Sequence, residues 1–355
     1  MKRIGVLPDD VLLEIFDFYV DTSLLYGGKK VTEAWQSLVH VCRRWRSLIL
    51  GSPRRLNLRL YCTPQTPARD TLDVWPALPL IIGGGGITLS GMDNIIAALE
   101  QSNRVSEAYL LNLAGWQLEK VLAAMQVPFP ELTDLELSIS SCSETLPVIP
   151  DSFLDGSAPR LRYFCLENIT FPGFSKLLLS ATHLVDLWLY NIPHSGYISP
   201  EAMVALLCAL SSLRTLTLEF QSPRSRPDRE TRHLPPLERS ILPALDFFRF
   251  TGVTEYLEEL VTRIDTPQLH GLLITFFGQI DYDYPRLSRF INRTPTFKAR
   301  DESHVQFFDQ RHTSISGNWA WPRLSSDRNP MQRTRMAAFF HRAGLYQLVA
   351  PAFHG

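Results

Sequence analysis

The chain has 355 residues, 45% of them apolar, and a net charge of −1. That composition is too apolar for a disordered chain, and the length exceeds one typical domain. A charge this close to zero provides no global field for nucleic acid or an acidic membrane surface, so neither is expected as a partner. Met1-Lys2-Arg3 lacks the apolar run of a signal peptide. The longest apolar run, Ala202 to Leu210, is well short of the ~20 residues that span a bilayer. A cytoplasmic and/or nuclear protein is expected. Cys42, Cys62, Cys142, Cys165 and Cys208 are odd in number and have no metal-ligand spacing. They read as small buried hydrophobes in a reducing compartment.

Pro8 is suited to a first helical turn, where its missing N–H has no intrahelical partner anyway. Asp9, Asp10 and Glu14 follow at the positive end of the helix dipole. Val11, Leu12, Ile15, Phe16 and Tyr19 recur at helical spacing, and Leu13 and Phe18 widen the apolar face. A second helix is expected over about Val31 to Leu50, with Trp35, Leu38, Val41, Cys42 and Trp45 inward. Two short helices bury too little surface to stand alone. They act either as a cap on the next domain or as a module covered by a partner.

These residues resemble a known family. Leu7-Pro8, Leu12, Ile15-Phe16, then Leu38, Val41-Cys42 and Trp45-Arg46 look like an F-box over residues 4 to 50. The chain departs from that motif in having Asp10 where Glu is commonest, and in a longer connection over about Asp21 to Lys30. The resemblance implies docking to a Skp-family adaptor, and through it to a cullin–RING ubiquitin ligase. By resemblance Leu7, Pro8, Leu12, Ile15, Phe16, Leu38, Val41, Cys42 and Trp45 carry that module, with Pro8, Leu12, Ile15 and Phe16 expected in direct contact.

Beyond residue 53 the chain alternates. Arg54 to Leu60 and Leu78 to Ile82 read as strands, and Asp93 to Gln101 as a helix. A frame then recurs: Leu132-x-x-Leu135-x-Leu137, Leu161-x-x-Phe164-x-Leu166, Leu184-x-x-Leu187-x-Leu189, Leu213-x-x-Leu216-x-Leu218, Leu245-x-x-Phe248-x-Phe250 and Leu269-x-x-Leu272-x-Ile274. Val105 to Leu113 is a weaker member and Leu287-x-x-Phe290 a candidate last one. The leading leucines fall 29, 23, 29, 32 and 24 residues apart, around the leucine-rich-repeat period of roughly 20–29. Short amphipathic helices are expected between, at Leu118 to Met125, Phe174 to Leu179, Ala202 to Leu210 and Tyr256 to Ile264. The competing reading is an ordinary α/β domain with leucines in its strands.

The expected architecture is α/β. An N-terminal helical F-box module (1–53) leads through a linker and cap (54–103) to an irregular leucine-rich-repeat solenoid, a horseshoe (104–297), and then to a C-terminal cap or partly disordered tail (298–355). Strand side chains alternate faces, so the residues flanking the inner leucines line the open side. They include Asp134, Glu136, Tyr163, Glu167, Asp186, Trp188, Tyr190, Thr217, Glu219, Phe247 and Arg249. Aromatic residues and Arg are common interface anchors, so this row, Glu136, Tyr163, Glu167, Asp186, Trp188, Tyr190, Glu219, Phe247 and Arg249 above all, is the candidate substrate surface. Its acidic lean points to a partner with a basic segment. The Arg- and Pro-rich stretch 221–242 reads as a solvated loop, with a phosphorylated partner as the alternative.

Gly83 to Gly86 has no Lys-Ser/Thr pair after it and reads as a flexible turn. No nucleophile–base, paired-Cys or H-E-x-x-H constellation appears, so no enzyme activity, metal or cofactor is expected. The chain reads as the substrate-recognition subunit of a Skp–cullin–F-box ligase whose protein substrate is unknown. The alternative is a protein-binding scaffold unconnected to ubiquitination. An enzyme with dispersed catalytic residues is the remaining reading.

Overall fold

The structure is a computed structural model that describes residues 7–25, 34–85, 87–140, 148–171, 176–227, 239–277 and 285–298, together with the backbone of strands 303–308, 312–317 and 338–339. Three helices come first: α1 (Asp9–Leu25), α2 (Ala34–Val39) and α3 (Arg43–Gly51). Strands and helices then alternate: β1 (Leu60–Cys62), α4 (Ala68–Val74), β2 (Leu80–Gly85), α5 (Leu89–Leu99), β3 (Val105–Leu113), α6 (Gly115–Ala124) and β4 (Asp134–Ile139). The series continues with β5 (Tyr163–Glu167), α7 (Lys176–Ser180), β6 (Asp186–Ile192), α8 (Pro200–Ala209), β7 (Thr215–Phe220) and β8 (Ser240–Ile241). It ends with β9 (Phe247–Gly252), α9 (Thr254–Arg263), β10 (Ile264–Asp265), β11 (Gly271–Phe277), α10 (Pro285–Arg293) and α11 (Pro295–Lys298). An antiparallel hairpin, β12 (Ser303–Phe308) and β13 (His312–Gly317), pairs with β11, and β14 (Ala338–Phe339) pairs with β12.

Nine strands, β1 to β7 with β9 and β11, form one all-parallel sheet in chain order. Because parallel strands need a crossover, each connection carries helix or loop back over the sheet. The register places the repeated apolar residues side by side. One row runs Cys62, Ile82, Ala108, Leu135, Phe164, Leu187, Leu216, Phe248, Leu272. A second runs Gly84, Leu110, Leu137, Leu166, Leu189, Leu218, Phe250, Ile274. The apolar side chains of both rows are buried, against Met92, Ile95, Leu118, Val121, Leu206, Leu207, Leu257 and Leu260 of the interleaved helices.

This corrects the expected architecture. The chain does not build an N-terminal F-box helical module followed by a leucine-rich-repeat solenoid. It builds a nine-stranded parallel sheet interleaved with helices, the ordinary α/β alternative. Leu12, Phe16, Trp35, Val39 and Ile49 belong to the same buried cluster as the strand leucines, so the first helices share the core of the sheet. The physical reason lies in the frame itself. L-x-x-L-x-L reports a strand with one buried face after a turn, and any parallel α/β sheet satisfies it. The uneven spacing reflects connections of different length.

Local expectations also shift. The first strand begins at Leu60, because Arg54 to Asn57 turn and Asn57 takes φ 47°. Leu287 and Phe290 lie on α10, where the same i, i+3 spacing makes a helical face. Gly83 to Gly85 lie inside β2, where a side chain at Gly84 would press on Pro64 at 3.0 Å. Among the cysteines, Cys62 and Cys165 are buried as expected, but Cys42 and Cys208 are exposed. Cys142, and residues 228–238 of the Arg- and Pro-rich stretch, lie outside the described residues.

Candidate functional site

Two surfaces present the residues singled out in the sequence. The first is α1 with its neighbours. The Leu12 N–H donates to the Pro8 carbonyl at 3.1 Å, so Pro8 opens the helix. Arg44 of α3 ties that end down, with Nε donating to Asp9 Oδ1 at 3.0 Å and Nη2 to the Leu7 carbonyl at 2.6 Å. Arg55 pairs with Glu14. Trp35 Nε1 donates to the Arg59 carbonyl at 3.1 Å, and the rings of Phe16 and Trp45 meet edge to face at 4.8 Å.

The apolar residues of α1 divide between two sides. Leu12, Leu13 and Phe16 point into the core. Val11, Ile15, Phe18 and Tyr19, at i, i+4, i+7 and i+8, form an exposed stripe, with 73% of Phe18 accessible. Of the residues expected in direct contact with an adaptor, Pro8 and Ile15 are exposed, while Leu12 and Phe16 are fully buried. Val41 and Cys42 are exposed, and Leu7, Leu38 and Trp45 pack partly against the core. Leu12 and Phe16 therefore hold the helix to the core, with Phe16 set against Trp45 of α3. Val11, Phe18 and Tyr19 take their place on the outer stripe. Apolar character on both sides of a helix hides this division from a sequence pattern.

The second surface is the sheet face opposite the core. Every residue of the candidate substrate set lies there, half-buried. The register sorts them into rows. Asp134, Tyr163, Asp186, Thr215 and Phe247 are neighbours across β4, β5, β6, β7 and β9. The next row is Tyr109, Glu136, Cys165, Trp188, Thr217 and Arg249. Ser138, Glu167 and Tyr190 start the third, and Glu219 pairs with Thr251 farther along.

Trp188 sits between two tyrosines, its ring 5.3 Å from Tyr163 and 5.9 Å from Tyr190, at interplanar angles of 72° and 76°. Its row neighbours Cys165 and Thr217 are small and buried. The Tyr163 hydroxyl donates to Glu136 Oε2 at 3.5 Å, Asn191 Nδ2 to Glu167 Oε1 at 3.3 Å, and the Arg249 guanidinium lies 3.6 Å from Glu219. Farther along, Arg59 pairs with Glu107, whose other oxygen accepts from the Tyr109 hydroxyl at 3.1 Å.

Partial burial sets the titration of this face. Desolvation pushes the carboxyls of Glu136 and Glu219 above the usual range. Tyr163 opposes the shift at Glu136 by its hydrogen bond, and Arg249 opposes it at Glu219 by its charge. Burial also raises Tyr190 to about 12 and Tyr109 to about 12, and holds the Cys165 thiol protonated.

One set of positions escaped the sequence reading. Asn112, Asn168 and Asn191 all have positive φ (54°, 59° and 49°) at or just past the ends of β3, β5 and β6. Asn tolerates this conformation. The register shifts beside Asn112 and Asn191 are bulges, and the next residue, Leu113 or Ile192, drops into the core instead of onto the open face. Ile169 does the same after Asn168. The signal was available as Leu-x-Asn-apolar after the strand leucine in all three.

A shallow depression of about 460 Å³ lies at the entry ends of β4 to β6, lined by Thr133, Arg160, Arg162, His183, Val185 and Ser212, and holds none of the candidate residues. Among the described residues no group of three or more His, Cys, Asp or Glu is placed to hold a metal ion, and no helix is long and apolar enough to cross a membrane. No protein-family model matches the chain, and no curated protein matches it.

Proposed function

We propose that the chain is a protein-binding subunit with two docking surfaces, in the cytoplasm or nucleus. The outer stripe of α1 binds a Skp-family adaptor of a cullin–RING ubiquitin ligase. The open sheet face receives a protein substrate. The chain performs no bond chemistry in this reading. It raises the effective concentration of substrate lysines near the conjugating enzyme. The observation that carries the reading is the exposed stripe Val11, Ile15, Phe18 and Tyr19; Val41, between α2 and α3, is also exposed. Burying one such side chain contributes roughly 1.5–3 kcal/mol, so a partner gains by covering them together. The resemblance of residues 4 to 50 to an F-box names the partner.

The test is co-purification of the full chain with the Skp-family adaptor of its own organism, beside Ile15→Asp. Stoichiometric capture that Ile15→Asp abolishes, with its melting temperature unchanged, is the expected result. Absence of capture by a folded wild-type chain removes the ligase connection. It leaves the second reading, a protein-binding scaffold outside ubiquitination, which the aromatic and charged sheet face supports independently.

A further inference from the structure

We propose that the strip of the open sheet face centred on Trp188 binds lysine or arginine side chains of a basic polypeptide segment in a partner protein. The proposal rests on the reading of that face as the substrate surface, and it names the chemistry of what docks there.

Three observations converge. The first is the aromatic wall. Tyr163, Trp188 and Tyr190 come from two adjacent strands, with the tyrosine rings standing edge to face against the indole. Rings so grouped attract a cation near their faces, most strongly at Trp. No bulky side chain flanks Trp188 within its row, because Cys165 and Thr217 are its neighbours.

The second is charge. Around the wall lie the carboxylates of Asp134, Glu136, Glu167, Asp186 and Glu219, against the guanidinium of Arg249, while that of Arg59 farther along is taken up by Glu107. A net negative, half-buried surface favours a cationic ligand and disfavours an anionic one. Arg249, 3.6 Å from Glu219, already occupies one carboxylate of the strip with a cation. The ligand continues that pattern across Trp188 toward Glu136 and Glu167.

The third is an unmet donor. Trp188 Nε1 is buried and has no hydrogen-bond partner. Burying a donor without a partner is costly, and a small rotation that brings it to a peptide carbonyl removes that cost. A polypeptide supplies both the cation and the carbonyl, whereas a free polyamine supplies only the cation.

The experiment uses the full chain and three fluorescein-labelled Gly-Ser peptides of equal length: lysine-rich, glutamate-rich and uncharged. Fluorescence anisotropy at physiological salt should show binding of the lysine-rich probe alone. Trp188→Ala should weaken it about tenfold, equivalent to ~1.4 kcal/mol. Trp188→Phe should retain most of the affinity, since the ring is what is needed. Glu136→Gln, which leaves the packing intact, should weaken it too, and Arg249→Ala should strengthen it by freeing Glu219. Equal binding of all three probes overturns the proposal, as does binding that survives both Trp188→Ala and Glu136→Gln.

The chain also has a basic stretch of its own in its sequence, with Arg323, Arg328, Arg333, Arg335 and Arg342 against Asp327. If the wild type ignores the lysine-rich probe, a full-length variant with those five arginines changed to Gln is measured. Binding gained there assigns the strip to the chain's own tail and overturns the partner; no binding there overturns the strip altogether. Adaptor capture is scored separately through Ile15→Asp. Capture without probe binding removes only this inference, and probe binding without capture removes only the ligase connection.

Discussion

Leu187 and Trp188 are consecutive residues of one strand, and they live in different solvents. Leu187 is fully buried among the leucines and phenylalanines of its row, while Trp188 lies half-buried among carboxylates and tyrosines. The same division separates Phe16 from Ile15 on α1, the one fully buried and the other 47% exposed. In both places one side holds the fold and the other faces outward. Changes on the inner side should therefore cost stability without touching recognition directly, and changes on the outer side should do the reverse.

The largest effect should come from the inner side of α1. Phe16→Ala removes a ring packed against Trp45 and is expected to cost about 3–5 kcal/mol in urea unfolding. Leu187→Ala should cost about 2–5 kcal/mol by the same cavity argument. Ile15→Asp, one residue from Phe16, should stay within about 0.5 kcal/mol of wild type while losing the adaptor. If Ile15→Asp proves as damaging as Phe16→Ala, the division of α1 into two sides fails.

The joints between the two sides come next. At Asn191 the strand takes φ 49° and delivers Ile192 to the core just past Tyr190 on the open face. A β-branched residue there meets the left-handed penalty, roughly 1–2 kcal/mol, and loses the hydrogen bond to Glu167. Asn191→Val should therefore lower stability by about that amount and also loosen Tyr190, weakening the lysine-rich probe. A variant of unchanged stability would show that the bulge is not held by Asn.

How far the sequence carried differs between these regions. The strands of the repeat frame start two residues after their leading leucines because a turn-closing leucine and alternating leucines leave little freedom of register. The open-face residues followed from alternation alone, and all eleven are on that face. The architecture did not follow. The frame is a property of single strands and says nothing of what assembly they join, so the solenoid expectation went beyond it. The two sides of α1 could not be sorted either, because Val11 and Leu12 are equally apolar and only the packing of Phe16 against Trp45 shows which way the helix faces. Gly83 to Gly85 misled for a related reason: a glycine run reads as a turn, but here the absent side chains make room for Tyr61 at Gly83 and for Pro64 at Gly84, inside a strand.

The smallest expected effect is a pH dependence confined to the outer side. Glu136 faces Tyr163, Cys165 and Glu167, and Glu219 faces Arg249 and Glu167. Burial raises both carboxyls above the ordinary glutamate value of ~4.3. The folded state thus binds more protons than the unfolded one in the window above that value. Stability from these groups is fully present below it and is lost as pH rises through their raised folded values. Glu136→Gln should flatten that fall and slightly raise the melting temperature at neutral pH. The lysine-rich probe should act in the same direction on the wild type, because a bound cation stabilises the ionised carboxylate of Glu136, which accepts its hydrogen bond from the neutral Tyr163 hydroxyl. Melting curves of wild type and Glu136→Gln at acid and neutral pH, with and without the probe, read all of this in one series. If the probe raises the melting temperature of both proteins equally at neutral pH, Glu136 has no part in holding it, and the strip loses its central carboxylate.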